Sequence, residues 1–235
     1  DVVDKVFMAS THDYLLCFTN KGRAYWLRVY DIPEGSRTAK GKAIVNLLNL
    51  TDEDVSAVIP LRSFDSDKYF LYATKSGRIG KFSQDLFSRP RAGGIIGMTL
   101  LDGDELVDVV MTNGKSDVVL TTAYGQSLRF SEEEVRATGR GSQGVIGIKM
   151  KYEEDRVCGL TLVDEKAKYL FLLTDKGFGK RTLFDEFMGH GRATQGVRAI
   201  TANFERGPVV SAVAVSDEDD VVVTTAGGIV MRTHA

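Results

Sequence analysis

The sequence holds 235 residues, 43% hydrophobic and 26% charged, with a formal net charge of −2. These proportions exclude a disordered chain, and no apolar run approaches the roughly 18 residues that a membrane-spanning helix needs. A charge so close to zero identifies no partner by itself, so any polyanion site depends on Lys and Arg gathering on one surface.

In chain order, the first recurrence is a Thr followed three residues later by Gly: Thr19/Gly22, Thr74/Gly77, Thr122/Gly125, Thr174/Gly177 and Thr225/Gly228. The interval is about 50 residues, the signature of a repeat array. The repeats fall at approximately 1–53, 54–103, 104–154, 155–207 and an incomplete 208–235, with no linker between them, so a single domain is expected. First strands are predicted from near Val6, Val55, Leu106, Val157 and Val209. Second strands run into each Thr, a tight turn carries the Gly, and a third strand returns. Short helical pieces are confined to places such as Ser131-Glu132-Glu133-Glu134, where a Ser cap precedes acidic residues. A polar loop leads to a fourth strand that begins around Ile44-Val45, Ile95-Ile96, Val145-Ile146 and Val197. Four short strands per repeat predict an all-β, propeller-like array of four-stranded blades.

The loop before the fourth strand carries an Arg four residues ahead of a Gly: Arg37/Gly41, Arg89/Gly93, Arg140/Gly144 and Arg192/Gly196. Lys40 and Lys42 flank Gly41, and Arg91 follows Arg89. Cations also recur four residues after the turn glycine, at Lys81, Arg129, Arg181 and Arg232. The first repeat has Trp26 there, with Arg28 two residues on, and Lys180 adjoins Arg181. One such Arg is ordinarily a solvated side chain or half of a surface ion pair. In-phase recurrence predicts a belt along one rim, with acidic residues such as Asp52, Glu53, Glu153, Glu154, Asp217 and Glu218 in other loops. Guanidinium groups and loop glycines in series suit the phosphates of duplex DNA, which they would neutralise without reading bases.

No catalytic centre is expected. His12, His190 and His234 have no metal-ligand spacing, no GxxxxGK[ST] loop is present, and cofactor, metal and small-molecule substrate are all predicted absent. Cys17 and Cys158 lie in apolar strand-like surroundings and read as small buried thiols in a reducing, cytoplasmic setting. Most tyrosines sit in strand patterns and are expected in the core, and Phe87 and Phe184 beneath the loops that precede the Arg/Gly motif.

The stretch from Ser10 through Tyr25, then Ile32-Pro33-Glu34 and Ser36-Arg37-Thr38-Ala39-Lys40-Gly41-Lys42 to Leu48, resembles the C-terminal domain of the DNA gyrase A subunit. Asp102-Gly103-Asp104-Glu105-Leu106, Gly177-Phe178-Gly179-Lys180-Arg181-Thr182 and Arg192-Ala193-Thr194-Gln195-Gly196-Val197 resemble it in the same order. The resemblance implies a β-pinwheel that binds and bends duplex DNA around a basic perimeter, supporting negative supercoiling. Its partners would be the N-terminal part of the gyrase A subunit, through which it would meet the gyrase B subunit, with ATP hydrolysed elsewhere. The family's Gln-Arg-Arg-Gly-Gly-Lys-Gly box does not occur in the chain. Motif alignment begins at the family's second blade, which puts the box upstream of Asp1. A parent without it would favour the A-type subunit of topoisomerase IV. A protein-docking propeller without DNA binding is the alternative from another class.

Overall fold

The computed structural model describes residues 5–36, 39–187 and 189–235. Its building block is a hairpin closed by the Thr-x-x-Gly turn. The five turn glycines take φ of +81° to +89°, a conformation that L side chains resist. Each glycine amide donates to the Thr carbonyl at 2.9–3.0 Å. Each Thr Oγ1 accepts the amide of the residue after the glycine at 3.1–3.3 Å. Five hairpins result: β1 (Tyr14–Thr19) with β2 (Arg23–Arg28), β4 (Tyr69–Thr74) with β5 (Arg78–Ser83), β8 (Asp117–Thr122) with β9 (Gln126–Ser131), β12 (Tyr169–Thr174) with β13 (Gly179–Leu183), and β16 (Asp220–Thr224) with β17 (Val230–His234).

A repeat in sequence is not a sheet in space. Each of the first three hairpins receives both flanking strands from the following repeat. The first hairpin takes β3 (Val55–Leu61) beside β1 and β6 (Ile95–Ile96) beside β2. The second takes β7 (Leu106–Thr112) and β10 (Val145–Ile146), and the third takes β11 (Val157–Leu162) and β14 (Val197–Arg198). The fourth hairpin has β15 (Val209–Val215) alone, and the fifth is a bare β-ribbon. Strands β3, β7, β11 and β15 pack against one another in succession, which makes that edge of every sheet the inner one. The short β6, β10 and β14 form the outer edge.

The outer strand is held by the turn glycine of the hairpin it joins. The carbonyl of Gly22 accepts the amides of Gly97 (2.9 Å) and Met98 (3.2 Å), Gly77 those of Gly147 and Ile148, and Gly125 those of Ala199 and Ile200. A Cβ at Gly22 or Gly77 would lie 2.6 Å from the Met98 or Ile148 carbonyl oxygen, and at Gly125 it would press still closer on that of Ile200. At Gly177 it would meet no atom within 4 Å. Three of these glycines therefore serve close approach as well as backbone conformation.

Two expectations are corrected. Ile44-Val45 is not a strand but opens the short helix α1 (Ile44–Leu48), which ends with Asn49 in the left-handed region at φ 54°. Residues around Val6 join no ladder, and Val6 is exposed. Both segments occupy repeat positions that in the later repeats dock on the preceding hairpin. The expected turn at Glu132–Glu134 forms as a 3₁₀ helix, with Ser131 Oγ accepting the Glu133 amide.

The core is continuous between repeats. Phe18 from one hairpin packs with Phe70 and Phe87 of the next repeat, and Phe87 in turn with Phe70 and Phe82, the ring contacts falling at 5.4–5.9 Å between centroids. Phe87 and Phe184 are buried as expected, and so are Tyr25 and Tyr72. Tyr30, Tyr124 and Tyr152 are exposed, contrary to the core expectation for the tyrosines. Cys17 and Cys158 are free thiols whose pKa burial pushes up to about 12.

Gly177→Ala should cost about 1 kcal/mol from φ alone, whereas Gly125→Ala must also displace a donated strand and should cost roughly 3 kcal/mol. Urea unfolding compares them, and equal losses would contradict the docking role. Burial also raises the Asp108 carboxyl on β7 to about 6, against the opposing pull of the Val109 amide and Lys5. The folded state then holds a proton that the unfolded chain has lost, so this group destabilises the fold as pH rises from about 4 through 6. Asp108→Asn should gain stability over the parent above pH 6, by at most about 3 kcal/mol, and no gain below pH 4.

Candidate nucleic-acid interface

The two families of recurrent cations occupy different surroundings. Third-strand cations share one register on the hairpins, with Trp26 opposite Leu16, Lys81 opposite Leu71, Arg129 opposite Val119, Arg181 opposite Phe171 and Arg232 opposite Val222. From that position the side chain crosses to the following repeat. Trp26 Nε1 donates to the Phe87 carbonyl (2.9 Å), Lys81 Nζ to that of Glu132 (2.8 Å), Arg129 Nη1 to that of Phe184 (2.8 Å) and Arg181 Nη1 to that of Ala235 (2.7 Å). The shared requirement is an N–H donor for a carbonyl, which explains how an indole occupies a site otherwise cationic.

These side chains are also neutralised locally. Lys81, only 6% exposed, lies 3.7 Å from the Glu132 carboxylate, which is fully buried and accepts from Thr112 Oγ1 and the Ser116 amide. Arg129 pairs with Asp117 at 2.9 Å, Arg181 approaches Asp217 and lies over the Tyr169 ring, and Arg232 Nε donates to Asp220 at 2.7 Å. Arg28 is held by Asp31, which raises its pKa, and Lys180 Nζ donates to the Ala199 carbonyl. Lys81 and Arg129 are thus taken up between repeats rather than standing free, whereas Arg28, Lys180, Arg181 and Arg232 remain exposed while each holds a carboxylate or a carbonyl.

The loop cations differ. Lys40, Lys42, Arg89, Arg91 and Arg140 are exposed and Arg192 is half-buried, and none has a carboxylate within ion-pair distance of its charged group among the described residues. Arg37 lies outside the described residues. Arg140 Nη1 rests on the Ile96 carbonyl (3.2 Å) and Arg192 Nη1 on that of Ile146 (3.0 Å), so these two loop arginines lean on the outer strand of the repeat before them. Backbone bonds repeat the overlap, from Gly141 to Gly97 and Thr99 to Ser142, then from Ala193 to Gly147 and Lys149 to Thr194. The outer edge is thus a chain of mutually hydrogen-bonded loops. One carboxylate enters it, where Glu134 Oε2 accepts the Arg192 amide.

The Arg/Gly spacing is out of step by one in the second repeat. Gly94, at φ +67°, matches Gly144 and Gly196 at +68° and +67°, while Gly93 contacts nothing that a Cβ would meet. Sequence reading also missed Arg23 and Arg78, which hold these loops. Arg23 Nη2 donates to the Gly93 carbonyl, and Arg78 donates to those of Gln143 and Gly144, all at 2.7–2.8 Å. Their signal was present, since each directly follows a turn glycine. Arg136, Lys149 and Arg198, also exposed along this edge, carried no repeated signal.

An antiparallel repeat array with exchanged strands and a cationic loop edge defines a β-pinwheel of the kind found in type IIA topoisomerases. The family model described as DNA gyrase C-terminal domain, beta-propeller, matches residues 13–62, 68–113, 116–163 and 168–216, and the chain belongs to that family. It is 43% identical over 235 residues to the DNA gyrase A subunit of Salmonella typhimurium and 42% identical over 233 residues to that of Klebsiella oxytoca, covering 26% of each relative and 100% and 99% of the chain. The chain thus spans about a quarter of the curated relatives' length. Among solved structures it resembles the C-terminal domain of DNA topoisomerase IV (TM-score 0.84, 28% identity, 95% of this chain and 70% of that one) and the DNA gyrase A C-terminal domain (0.83, 28%, 96% and 73%).

Lys81→Met should destabilise the chain by about 3 kcal/mol because it leaves the buried Glu132 carboxylate uncompensated, while Arg140→Ala should stay within about 1 kcal/mol. Thermal or urea unfolding measures both, and a neutral Lys81→Met would remove the inter-repeat role.

Proposed function

We propose that this chain is a non-catalytic DNA-binding domain of a gyrase-type topoisomerase, and that duplex DNA runs along the outer loop edge. The carrying observation is the run of loop cations without carboxylates: Lys40, Lys42, Arg89, Arg91, Arg140 and Arg192 have no carboxylate partner among the described residues, whereas Lys81 and Arg129 are taken up between repeats and Arg28, Arg181 and Arg232 are ion-paired. Arg37 joins the proposed contacts by its place in the repeat. Arg136, Lys149 and Arg198 extend them. Backbone contacts of this kind neutralise phosphates and release counterions, giving affinity without base recognition.

Bending a site of 20–30 bp by 40–90° costs on the order of 1–6 kcal/mol, and cations spaced from loop to loop can offset it as the helix follows the curved edge. Wrapping by this domain would support supercoiling by a parent enzyme whose cleavage and ATPase chemistry reside in other parts of the gyrase A and B subunits. The chain itself would need no cofactor. The two solved relatives fit about equally well, so the choice of gyrase over topoisomerase IV rests on the sequence relatives.

Salt dependence tests the reading. Fluorescence anisotropy with a labelled duplex should give a steep log–log slope, and Arg140→Ala or Arg192→Ala should each reduce it by about one. Arg129→Ala should leave it unchanged while lowering stability. A slope near zero, or binding restricted to a protein ligand, would favour the docking propeller instead.

A further inference from the structure

Resting on the DNA reading, we infer that the outer strand contributes a second, uncharged contact to the duplex: an aliphatic residue next to Arg140 and another next to Arg192, seated against the sugars and groove wall where the helix bends inward. The residues are Ile96 on β6 and Ile146 on β10. Both occupy the same register, Ile96 opposite Arg23 and Ile146 opposite Arg78. They are 54% and 43% exposed; the residue before them is buried in the second repeat (Ile95) and exposed in the third (Val145). Isolated exposed aliphatics are common on protein surfaces and carry no message. These two recur in phase on the edge that bears the free cations. Each also has its own backbone carbonyl capped by the next repeat's guanidinium, Ile96 by Arg140 and Ile146 by Arg192. The side chain and the cation therefore form one unit, repeated from sheet to sheet.

The third repeat of the pattern supplies an independent check on orientation. Arg198, opposite Gln126, holds the position of Ile96 and Ile146 and is exposed without a carboxylate partner among the described residues. A position filled by an isoleucine twice and an unpaired arginine once faces a partner that accepts both apolar and cationic groups. A phosphodiester backbone flanking a groove offers that combination: phosphate oxygens for Arg140, Arg192 and Arg198, and the apolar faces of deoxyribose for the isoleucines. Apolar contact made only where the backbone lies close against the edge favours the inward-bent helix, since a straight duplex would leave those side chains in water. An arginine alone would anchor the backbone, while the paired isoleucine would help fix where the helix turns toward the protein.

The test uses this chain and an end-labelled donor–acceptor duplex of about 30 bp, reading affinity by anisotropy across a salt series and curvature by energy transfer between the ends. The Ile96→Ala/Ile146→Ala variant should bind roughly tenfold more weakly, the scale of losing several methylene contacts. It should keep the parent's salt slope, because no phosphate contact is removed, and should show lower transfer efficiency at saturation. Ile96→Val/Ile146→Val should remain within about twofold of the parent, which separates lost contact from lost fold. A double-alanine variant that binds and bends like the parent overturns the inference while leaving the DNA reading intact. A salt slope that falls together with affinity also overturns it, since the loss would then run through Arg140 and Arg192. A parent that binds no duplex at low salt overturns both.

Discussion

The structure depends on one small contact, the carbonyl of a turn glycine receiving two consecutive amides from the next repeat. Gly22, Gly77 and Gly125 each make it, and each lacks the space for a Cβ. A hairpin alone is marginally stable in water, and its open edges invite pairing with other strands. Handing the outer strand back to the preceding hairpin closes one of its edges, and the same repeat closes the other with its inner strand. Stability therefore accrues between neighbours rather than within a repeat, as in other arrays where each unit completes the last. The loop edge inherits its order from the same contact, because the strand that docks on the glycine is the one the cationic loop leads into.

Hairpins were legible in the sequence because everything that specifies them is local: a Thr, a Gly with positive φ, and alternating apolar residues on both sides. The exchanged strands were not. Their residues, such as Ile95-Ile96 and Val145-Ile146, have ordinary strand composition, and composition does not say which hairpin a strand will join. Ile44-Val45 makes the same point from the other direction. The identical signal opens a helix at Ile44, so the local pattern alone does not decide between strand and helix there. Fold class and repeat length were thus readable, while sheet membership was a tertiary fact.

Recurrence alone does not separate the loop cations without carboxylate partners from those paired within the fold. Both cation families repeat with the same period, and only burial and pairing distinguish them. Trp26 was the clue within the sequence, for a site that accepts an indole in place of Lys or Arg needs a donor rather than a charge. Lys81 and Arg129 then fall into place as groups whose charge is answered by Glu132 and Asp117. Arg23 and Arg78, overlooked as mere turn neighbours, turn out to govern where the loop cations stand.

This partition also explains how a chain with a net charge of −2 can present a cationic face. Charge that is paired across a few ångströms contributes little field beyond a Debye length of about 8 Å at physiological salt. The third-strand cations and their carboxylates largely cancel at that range. What a polyanion meets at the outer edge is the unpaired remainder, set by the loops and not by the total. Glu134 fits within this account because it receives the Arg192 amide, fixing the loop's backbone while leaving the guanidinium on the Ile146 carbonyl. A carboxylate that orders a cationic loop without reaching its charged group helps to keep that charge available to solvent.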